Sequence, residues 1–208
     1  MAEHKILIAG GGTGGHLFPA LAIGEEIHHR EPGAKIHYVG SIFGLEAKVF
    51  PVKDVWHTLL PIRGFQRGIS LQSLGRNSLL PVRIIRSMLK IRSLMNEFLP
   101  QGVVGTGGYA SALPLYMASK KNNPLPIILQ EQNSYPGMTT RWFADKAKTI
   151  CVAFNDANTH LESDTVLTGN PVRHGIADGN PQRDLRNSNW QKTLKLSFFL
   201  VVVRDLRI

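Results

Sequence analysis

The sequence predicts an α/β protein with a doubly wound, mostly parallel, Rossmann-like sheet. The first observation is the order of strand, glycine-rich turn and helix in residues 5–22, KILIAGGGTGGHLFPALA. The second is the same order in residues 101–120, where an apolar strand ends in Gly105-Thr106-Gly107-Gly108-Tyr109. The third is the alternation of short apolar runs with helical patterns along the chain, which favours parallel strands joined by right-handed crossovers.

The first glycine turn, Gly10–Gly15, has the composition of an anion-binding site. Five of its six residues are glycine, and glycine adopts the positive-φ conformations that let backbone N–H groups point outward. A helix predicted over Leu17–His29 follows and adds the positive end of its dipole. The sequence therefore predicts a phosphate group at this turn.

A nicotinamide or flavin dinucleotide is one candidate for that phosphate. The pattern G-x-G-x-x-G is present in residues 10–15, and a second strand is predicted over 36–39. Dinucleotide-binding domains place an acidic residue near the end of that strand, where it bonds a ribose hydroxyl. Here the strand ends in YVGS at 38–41, and the next acid, Glu46, falls inside a predicted helix. The missing acid argues against a dinucleotide.

The other elements alternate as far as residue 167. Strands are predicted over 55–62, 101–105, 126–129, 149–153 and 164–167, and helices over 111–120 and 138–146. The strand at 126–129 delivers Gln130-Glu131-Gln132-Asn133, four polar side chains that are costly to bury unless they bond something. Ligands of open α/β sheets bind beyond the carboxyl ends of the strands, so we expect both glycine turns to face one crevice. The alternative is two unrelated tight turns.

A basic, partly apolar helix is predicted from Pro81 onward. Residues 55–96 contain seven arginines and lysines and no acidic residue. Two interpretations stay open: a core-packed helix with a solvated basic face, or a surface that lies against anionic lipid headgroups. Nucleic acid is a poorer candidate because the segment lacks aromatic interleaving and a recognised binding module. One face of the helix carries Val82, Ile85, Met88 and Leu89, and another carries Arg83, Arg86 and Lys90.

Composition limits the class of protein and its compartment. The single cysteine, Cys151, excludes an internal disulfide framework and is interpreted as a buried strand thiol in a reducing compartment. Residues 1–5 lack the features of a signal peptide, and no run of about 18 apolar residues is present. The net charge of +9 favours an anionic partner. We find no His, Cys and Asp residues with the spacing of metal ligands.

Four segments resemble, in order and spacing, the motifs of the MurG family of glycosyltransferases. They are GGGTGGHLFPALA (10–22), GTGGYAS (105–111), QEQNSYPG (130–137) and TGNPVR (168–173), and the resemblance covers residues 4–176. It implies the N-terminal half of a GT-B fold, whose cleft lies between two Rossmann-like halves. The implied reaction transfers N-acetylglucosamine from UDP-N-acetylglucosamine to the muramoyl C4 hydroxyl of lipid I, with inversion, and makes lipid II for peptidoglycan synthesis.

The same resemblance implies partners and a location. The expected partners are UDP-N-acetylglucosamine, lipid I and the cytoplasmic face of an anionic inner membrane, where the protein would be peripheral; nucleic acid is not expected. No cofactor and no obligatory metal are expected, because this fold class stabilises the leaving diphosphate with backbone N–H groups and helix dipoles. Roles in cell-wall biogenesis, cell shape and cell division follow from the same resemblance.

The resemblance also assigns roles to individual side chains. His16 follows the first glycine turn and is the candidate general base on the acceptor hydroxyl; capping or orienting the helix start is the alternative. Gln130 stands where many relatives have histidine. This difference favours hydrogen bonding over acid–base chemistry at position 130.

Three groups of contacts complete the expected site. The expected contacts to UDP-N-acetylglucosamine are Thr13, Gly14, Gly15, Asn133 and Arg173. The expected contacts to the acceptor diphosphate are Gly11, Gly12, Gly107, Gly108 and Tyr109. The expected membrane-facing residues are Val82, Ile85, Arg86, Met88, Leu89 and Lys90.

The last residues depart from the family pattern. We predict an N-terminal acceptor-binding and membrane-binding domain over 1–176 and a linker with an aberrant tail over 177–208. Relatives continue through a third glycine loop into a UDP-sugar domain, and a one-base shift in the codons of residues 199–207 can restore such a loop. We therefore predict a frameshift or a truncated gene near 194–200 and a chain that is inactive by itself. A non-catalytic module that binds a lipid diphosphate or a membrane is the alternative function.

Overall fold

The structure, a computed structural model, describes residues 4–64, 78–120 and 122–172. The strands of this part of the chain are β1 (Lys5–Ala9), β2 (Lys35–Ser41), β3 (His57–Leu60), β4 (Gly102–Gly105), β5 (Ile127–Glu131), β6 (Thr149–Val152) and β7 (Thr165–Leu167). They form one sheet in the order β3-β2-β1-β4-β5-β6-β7, and all neighbouring strands are parallel. The predicted parallel sheet is confirmed.

Helices connect these strands. The described α-helices are α1 (Gly14–Arg30), α2 (Glu46–Val52), α3 (Leu80–Phe98), α4 (Tyr109–Ser119) and α5 (Met138–Phe143), and short 3₁₀ helices follow at Ala144–Lys146 and Asn155–His160. The helix predicted over 138–146 is therefore an α-helix that tightens into a 3₁₀ turn. The first helix begins three residues before the predicted start, because the Thr13 carbonyl accepts hydrogen bonds from the His16 and Leu17 N–H groups.

The sheet is covered by helices on both faces. Successive side chains of a strand point to opposite faces, and β1 places Leu7 and Ala9 on one side and Ile6 and Ile8 on the other. Side chains of α3, α4 and α5 pack on the first face, and those of α1 and α2 pack on the second. This arrangement confirms the doubly wound architecture. Cys151 is buried in β6, as predicted for a strand thiol.

The face of α3 that packs on the sheet differs from the apolar face read from the sequence. Val82, Ile85 and Leu89 are 49%, 58% and 62% exposed, so the interpretation that they pack in the core is wrong. Met88 is half-buried. The buried residues of α3 are Ser87, Ile91, Leu94, Met95 and Phe98. No helix in the described residues is both long and apolar enough to cross a bilayer.

His37, on β2, makes the stability of the fold sensitive to pH. Its Nε2 atom lies 2.9 Å from the Thr58 hydroxyl, and its ring packs against Phe98 with ring centroids 5.4 Å apart. Burial, with a smaller contribution from the charge of His57, lowers the pKa of His37 from 6.5 to about 4. The imidazole is therefore neutral in the folded protein over a pH range in which the unfolded chain binds a proton.

We expect the free energy of unfolding to fall as the pH drops from 6.5 towards 4. The unfolded state binds more protons in this window, which favours unfolding, whereas above pH 6.5 the contribution is complete. The expected loss of unfolding free energy across this window is about 1–2 kcal/mol, because the value that corresponds to the full pKa shift is reduced for the partial exposure of the ring. Urea unfolding at several pH values should show that the free energy of unfolding changes less steeply with pH, with a shallower slope, for His37→Gln than for the wild-type chain. Equal slopes in the two proteins would contradict this assignment.

Candidate functional site

The first glycine turn, Gly10–Gly15, and the second, Gly105–Tyr109, lie side by side at the carboxyl edge of the sheet. They follow β1 and β4, which are neighbouring strands. The Thr106 N–H donates to the Ala9 carbonyl at 2.9 Å, and the Thr106 hydroxyl donates to the His16 carbonyl at 2.8 Å. The two turns are therefore one structural unit rather than two unrelated features.

The two turns touch directly at Gly108. Its φ angle is +77°, in a region that residues with a Cβ rarely adopt. A Cβ built at this position would lie 2.1 Å from the carbonyl oxygen of Gly11. Gly108 is thus required both by its own backbone conformation and by the close approach of the first turn.

His16 lies where the two turns meet. Its Nδ1 atom is 2.9 Å from the Thr106 carbonyl oxygen and 3.2 Å from Oε1 of Gln132. A carbonyl oxygen can only accept, so Nδ1 carries the hydrogen and Nε2 of the neutral ring keeps its lone pair. The side chain thus connects α1 to the second turn and leaves Nε2 able to accept a proton. This geometry suits a general base, and the role itself stays a prediction.

Glu46 closes the back of the first turn, which the sequence did not indicate. Its carboxylate is fully buried and accepts hydrogen bonds from Gly12 N–H, 3.0 Å from both oxygens, and from Ser41 N–H at 2.7 Å. A Cβ at Gly11 or Gly44 would lie 2.3 Å from a carboxylate oxygen of Glu46. The glycines around Glu46 therefore provide the room for its side chain.

This contact changes what the first turn can offer a ligand. The Gly12 N–H, which belongs to the predicted acceptor-diphosphate site, already donates to Glu46. The first N–H groups of a helix have no partner within the helix, and Thr13 makes no side-chain capping bond at the start of α1. The amides of Gly14 and Gly15 are therefore the better placed donors for an anion.

The polar run after β5 is held by a second buried carboxylate, Glu131. Its Oε1 accepts from the backbone N–H and the side-chain Nδ2 of Asn133, at 3.0 and 2.9 Å. Its Oε2 accepts from Gly137 N–H at 2.9 Å and from the Thr140 hydroxyl at 2.6 Å. Glu131 therefore fixes the start of α5 and orients Asn133, which is itself exposed.

Gln130 joins β5 to the TGNPVR segment. Its Nε2 donates to the Gly169 carbonyl at 3.1 Å, and its Oε1 accepts from the Thr168 hydroxyl at 3.3 Å. The side chain is fully buried in this network, which agrees with the hydrogen-bonding role expected for glutamine. Arg173, the last residue of the segment and an expected donor contact, lies outside the described residues, as does the predicted tail over 177–208.

Tyr109 forms one wall beside the first turn. A Cβ built at Gly12 would lie 3.0 Å from its ring, and one at Gly64 would lie 3.1 Å from it. Burial is the largest effect on the Tyr109 hydroxyl and raises its pKa, while the Ser41 side chain and the Arg63 charge lower it. Tyr109 is therefore a neutral hydroxyl at the junction of the first turn with the ends of β2 and β3.

The described residues offer no candidate for metal ligation. Within residues 4–64, 78–120 and 122–172, no three His, Cys, Asp or Glu side chains lie close enough together to hold a metal ion. The buried carboxylates Glu46 and Glu131 instead accept hydrogen bonds from N–H and O–H groups of the turns.

Comparison with known proteins identifies the family of this chain. The sequence profile of the glycosyltransferase family 28 N-terminal domain matches residues 6–152. The chain belongs to glycosyltransferase family 28. The matched range begins in β1 and ends in β6, so it contains both glycine turns and the polar run after β5.

Curated relatives carry a specific name. The chain is 38% identical over 185 residues to the UDP-N-acetylglucosamine--N-acetylmuramyl-(pentapeptide) pyrophosphoryl-undecaprenol N-acetylglucosamine transferase of Flavobacterium psychrophilum. It is 40% identical over 196 residues to the protein of the same name from Bacteroides thetaiotaomicron. These alignments cover 88% and 93% of the chain but 49% and 51% of the relatives. The chain therefore spans about half the length of the curated relatives it matches.

A solved structure supports the fold. The crystal structure of Acinetobacter baumannii MurG matches with a TM-score of 0.63 at 23% identity, and the match covers 83% of this chain and 47% of that one. Together with the curated relatives, this match confirms the resemblance to the MurG family. The likeness in structure also agrees with a Rossmann-like half of a GT-B glycosyltransferase.

Proposed function

We propose that this chain is the acceptor-binding half of a glycosyltransferase that transfers N-acetylglucosamine from UDP-N-acetylglucosamine to lipid I. The observation that carries the proposal is the position of His16 at the junction of both glycine turns, with Nδ1 bound to the Thr106 carbonyl and the lone pair on Nε2. The substrates are proposed from the names of the curated relatives.

In this reaction, Nε2 of His16 accepts the proton of the muramoyl C4 hydroxyl. The hydroxyl oxygen bonds to the anomeric carbon of the donor sugar as the bond from that carbon to the UDP oxygen breaks, with inversion. UDP leaves with the electron pair, and N–H groups and helix dipoles stabilise its charge. The proposed donor contacts are Thr13, Gly14, Gly15, Asn133 and Arg173.

The acceptor diphosphate is proposed to lie over the two turns. The backbone contacts to this diphosphate come from Gly11, Gly107, Gly108 and Tyr109. Gly12 contributes only to the shape of the turn, because its N–H group donates to Glu46. A dinucleotide is disfavoured further by the structure, because the first acid after β2 is fully buried against the turn and is not open to a ribose hydroxyl.

The exposed face of α3 is proposed to lie on the membrane. Val82, Ile85 and Leu89 are exposed, and Arg86 is exposed beside them, a combination that suits an anionic lipid surface. Lys90 contributes less, because its ammonium group donates to the Leu59 carbonyl at 2.9 Å. The proposed location is the cytoplasmic side of the inner membrane, with a role in cell-wall biogenesis and thereby in cell shape and division.

The proposal predicts that the chain binds a soluble lipid I analogue and distinguishes a diphosphate from a monophosphate. Charge-assisted hydrogen bonds from backbone N–H groups to the second phosphate are worth about 1.5–3 kcal/mol. We therefore expect the analogue with a single phosphate to bind at least about tenfold more weakly. Isothermal titration calorimetry with the two analogues at one salt concentration measures this ratio.

A turnover assay with UDP-N-acetylglucosamine separates the two candidate functions. Product formation by this chain would support an enzyme, and binding of the diphosphate analogue without product would support the non-catalytic acceptor-binding module. Equal affinities for the two analogues, or no binding of either by folded protein, would contradict the proposed acceptor site.

A further inference from the structure

Arg63 lies at the rim of the two glycine turns in a fixed position. It follows β3 at the carboxyl edge of the sheet, where the Ser41 hydroxyl donates to the carbonyl of the preceding residue, Ile62, at 2.6 Å. The Arg63 guanidinium lies over the ring of Phe43, 4.0 Å from the ring centroid. Stacking of this kind holds the planar group while leaving its N–H edge available.

The guanidinium has no acceptor within the described part of the chain. None of the carboxylates described lies within ion-pair distance of Arg63, and no hydrogen bond from its N–H groups is seen among those residues. The side chain is nevertheless half-buried. An arginine guanidinium, with five N–H donors in a rigid fork, matches phosphate geometry.

The surroundings of the turns call for such a cation. Glu46 places a buried carboxylate directly beneath Gly12, so a diphosphate over the turn meets a negative charge as well as amide dipoles. Gly64, the neighbour of Arg63, packs against the Tyr109 ring, and the same ring packs against Gly12. Arg63 is thus positioned to offset the charge of Glu46 and to pair with phosphate at the same edge.

The order of groups along this edge matches a lipid-linked diphosphate. Arg83 of α3 lies on the same Phe43 ring at 5.2 Å, next to the exposed apolar face of that helix. Along this edge the groups therefore follow in the order α3 face, Phe43 with the two arginines at its ring, Tyr109 and the two turns. We propose that Arg63, stacked on Phe43, binds the diphosphate of the lipid-linked acceptor on its lipid side. This inference rests on the proposed function of the turns.

The test compares the affinities of four variants with that of wild type for a short-chain lipid I analogue that carries the diphosphate. We expect Arg63→Ala to weaken binding at least about tenfold, because one charge-assisted, bidentate contact is lost. Arg63→Lys should recover only part of the affinity, since a lysine lacks the planar fork. The affinity of Phe43→Ala should fall between those of wild type and Arg63→Ala. The matched control Arg92→Ala, which removes an exposed arginine of α3 that lines a pocket with Met95 and Met117, should bind within about twofold of wild type.

Two further ligands identify the source of the diphosphate. UDP-N-acetylglucosamine should bind wild type and Arg63→Ala with equal affinity. Inorganic pyrophosphate should bind Arg63→Ala more weakly than wild type, as the acceptor analogue does. If wild type binds the analogue and Arg63→Ala binds it as tightly, this inference fails and the proposed function stands. If Arg63→Ala weakens the nucleotide sugar instead, the acceptor assignment is overturned. If wild type binds pyrophosphate through Arg63 but not the analogue, the proposed function fails and the diphosphate site remains.

Discussion

Replacing Glu46 with alanine is expected to lower the free energy of unfolding by about 3 kcal/mol or more. The Gly12 and Ser41 N–H groups each lose a buried acceptor, and each unsatisfied group costs about 1–3 kcal/mol. The space left between the glycines adds a cavity, since glycines have no side chains to fill it. Urea unfolding followed by far-UV circular dichroism measures the loss.

Two control variants sharpen this experiment. Glu46→Gln keeps the shape and one acceptor oxygen, so it should recover most of the loss, although its NH₂ group faces a backbone donor. Glu162→Ala removes an exposed carboxylate far from the turns along the chain and should change stability by no more than about 0.5 kcal/mol. A Glu46→Ala chain as stable as the Glu162→Ala chain would contradict the structural role of Glu46.

The sheet and its glycine turns could be predicted because their signals are local. A buried parallel strand is a short apolar run, and Gly105–Tyr109 repeats the strand–turn–helix order of Gly10–Gly15 closely enough to place both turns at strand ends. Boundaries were less predictable: β3 is His57–Leu60 rather than 55–62, because pairing with β2 covers only these four residues.

The sequence could not decide which face of α3 packs on the sheet. The helix carries two apolar stripes at three- and four-residue spacing, and the one read from the sequence is the exposed one. The buried stripe includes Ser87, whose hydroxyl is buried with no hydrogen-bond partner in the described structure. A polar residue in the middle hides a buried stripe from a search for apolar periodicity. Only packing against the sheet selects between the two.

The contacts that shape the site also cannot be predicted from short sequence patterns, because they join residues that are distant along the chain. Glu46 reaches Gly12 across 34 residues, and the Arg63 guanidinium lies on a ring that follows a different strand. Hydrogen bonds between loops depend on the strand order, which brings the ends of β1, β2 and β3 together. The sequence therefore predicted the two glycine turns at the strand ends but not the charged side chains that surround them.

Loss of the apolar side chains on α3 is expected to abolish most membrane binding. Ile85 and Leu89 are 58% and 62% exposed, so each would bury roughly half of its side chain in lipid. Full burial of such a side chain is worth about 1.5–3 kcal/mol, so half burial of both gives about 2 kcal/mol. The double variant Ile85→Ser/Leu89→Ser should therefore bind vesicles of phosphatidylcholine with 30% phosphatidylglycerol about thirtyfold more weakly in sedimentation assays.

The control removes two exposed apolar side chains elsewhere, in the double variant Val52→Ser/Leu167→Ser. Both residues are exposed and lie on α2 and β7, so vesicle affinity should stay near that of wild type. Binding should also weaken as salt is added, because Arg86 near the headgroups contributes about 1 kcal/mol that salt screens. Vesicle binding that survives the loss of Ile85 and Leu89, or that is equally strong without phosphatidylglycerol, would remove α3 as the membrane-facing surface.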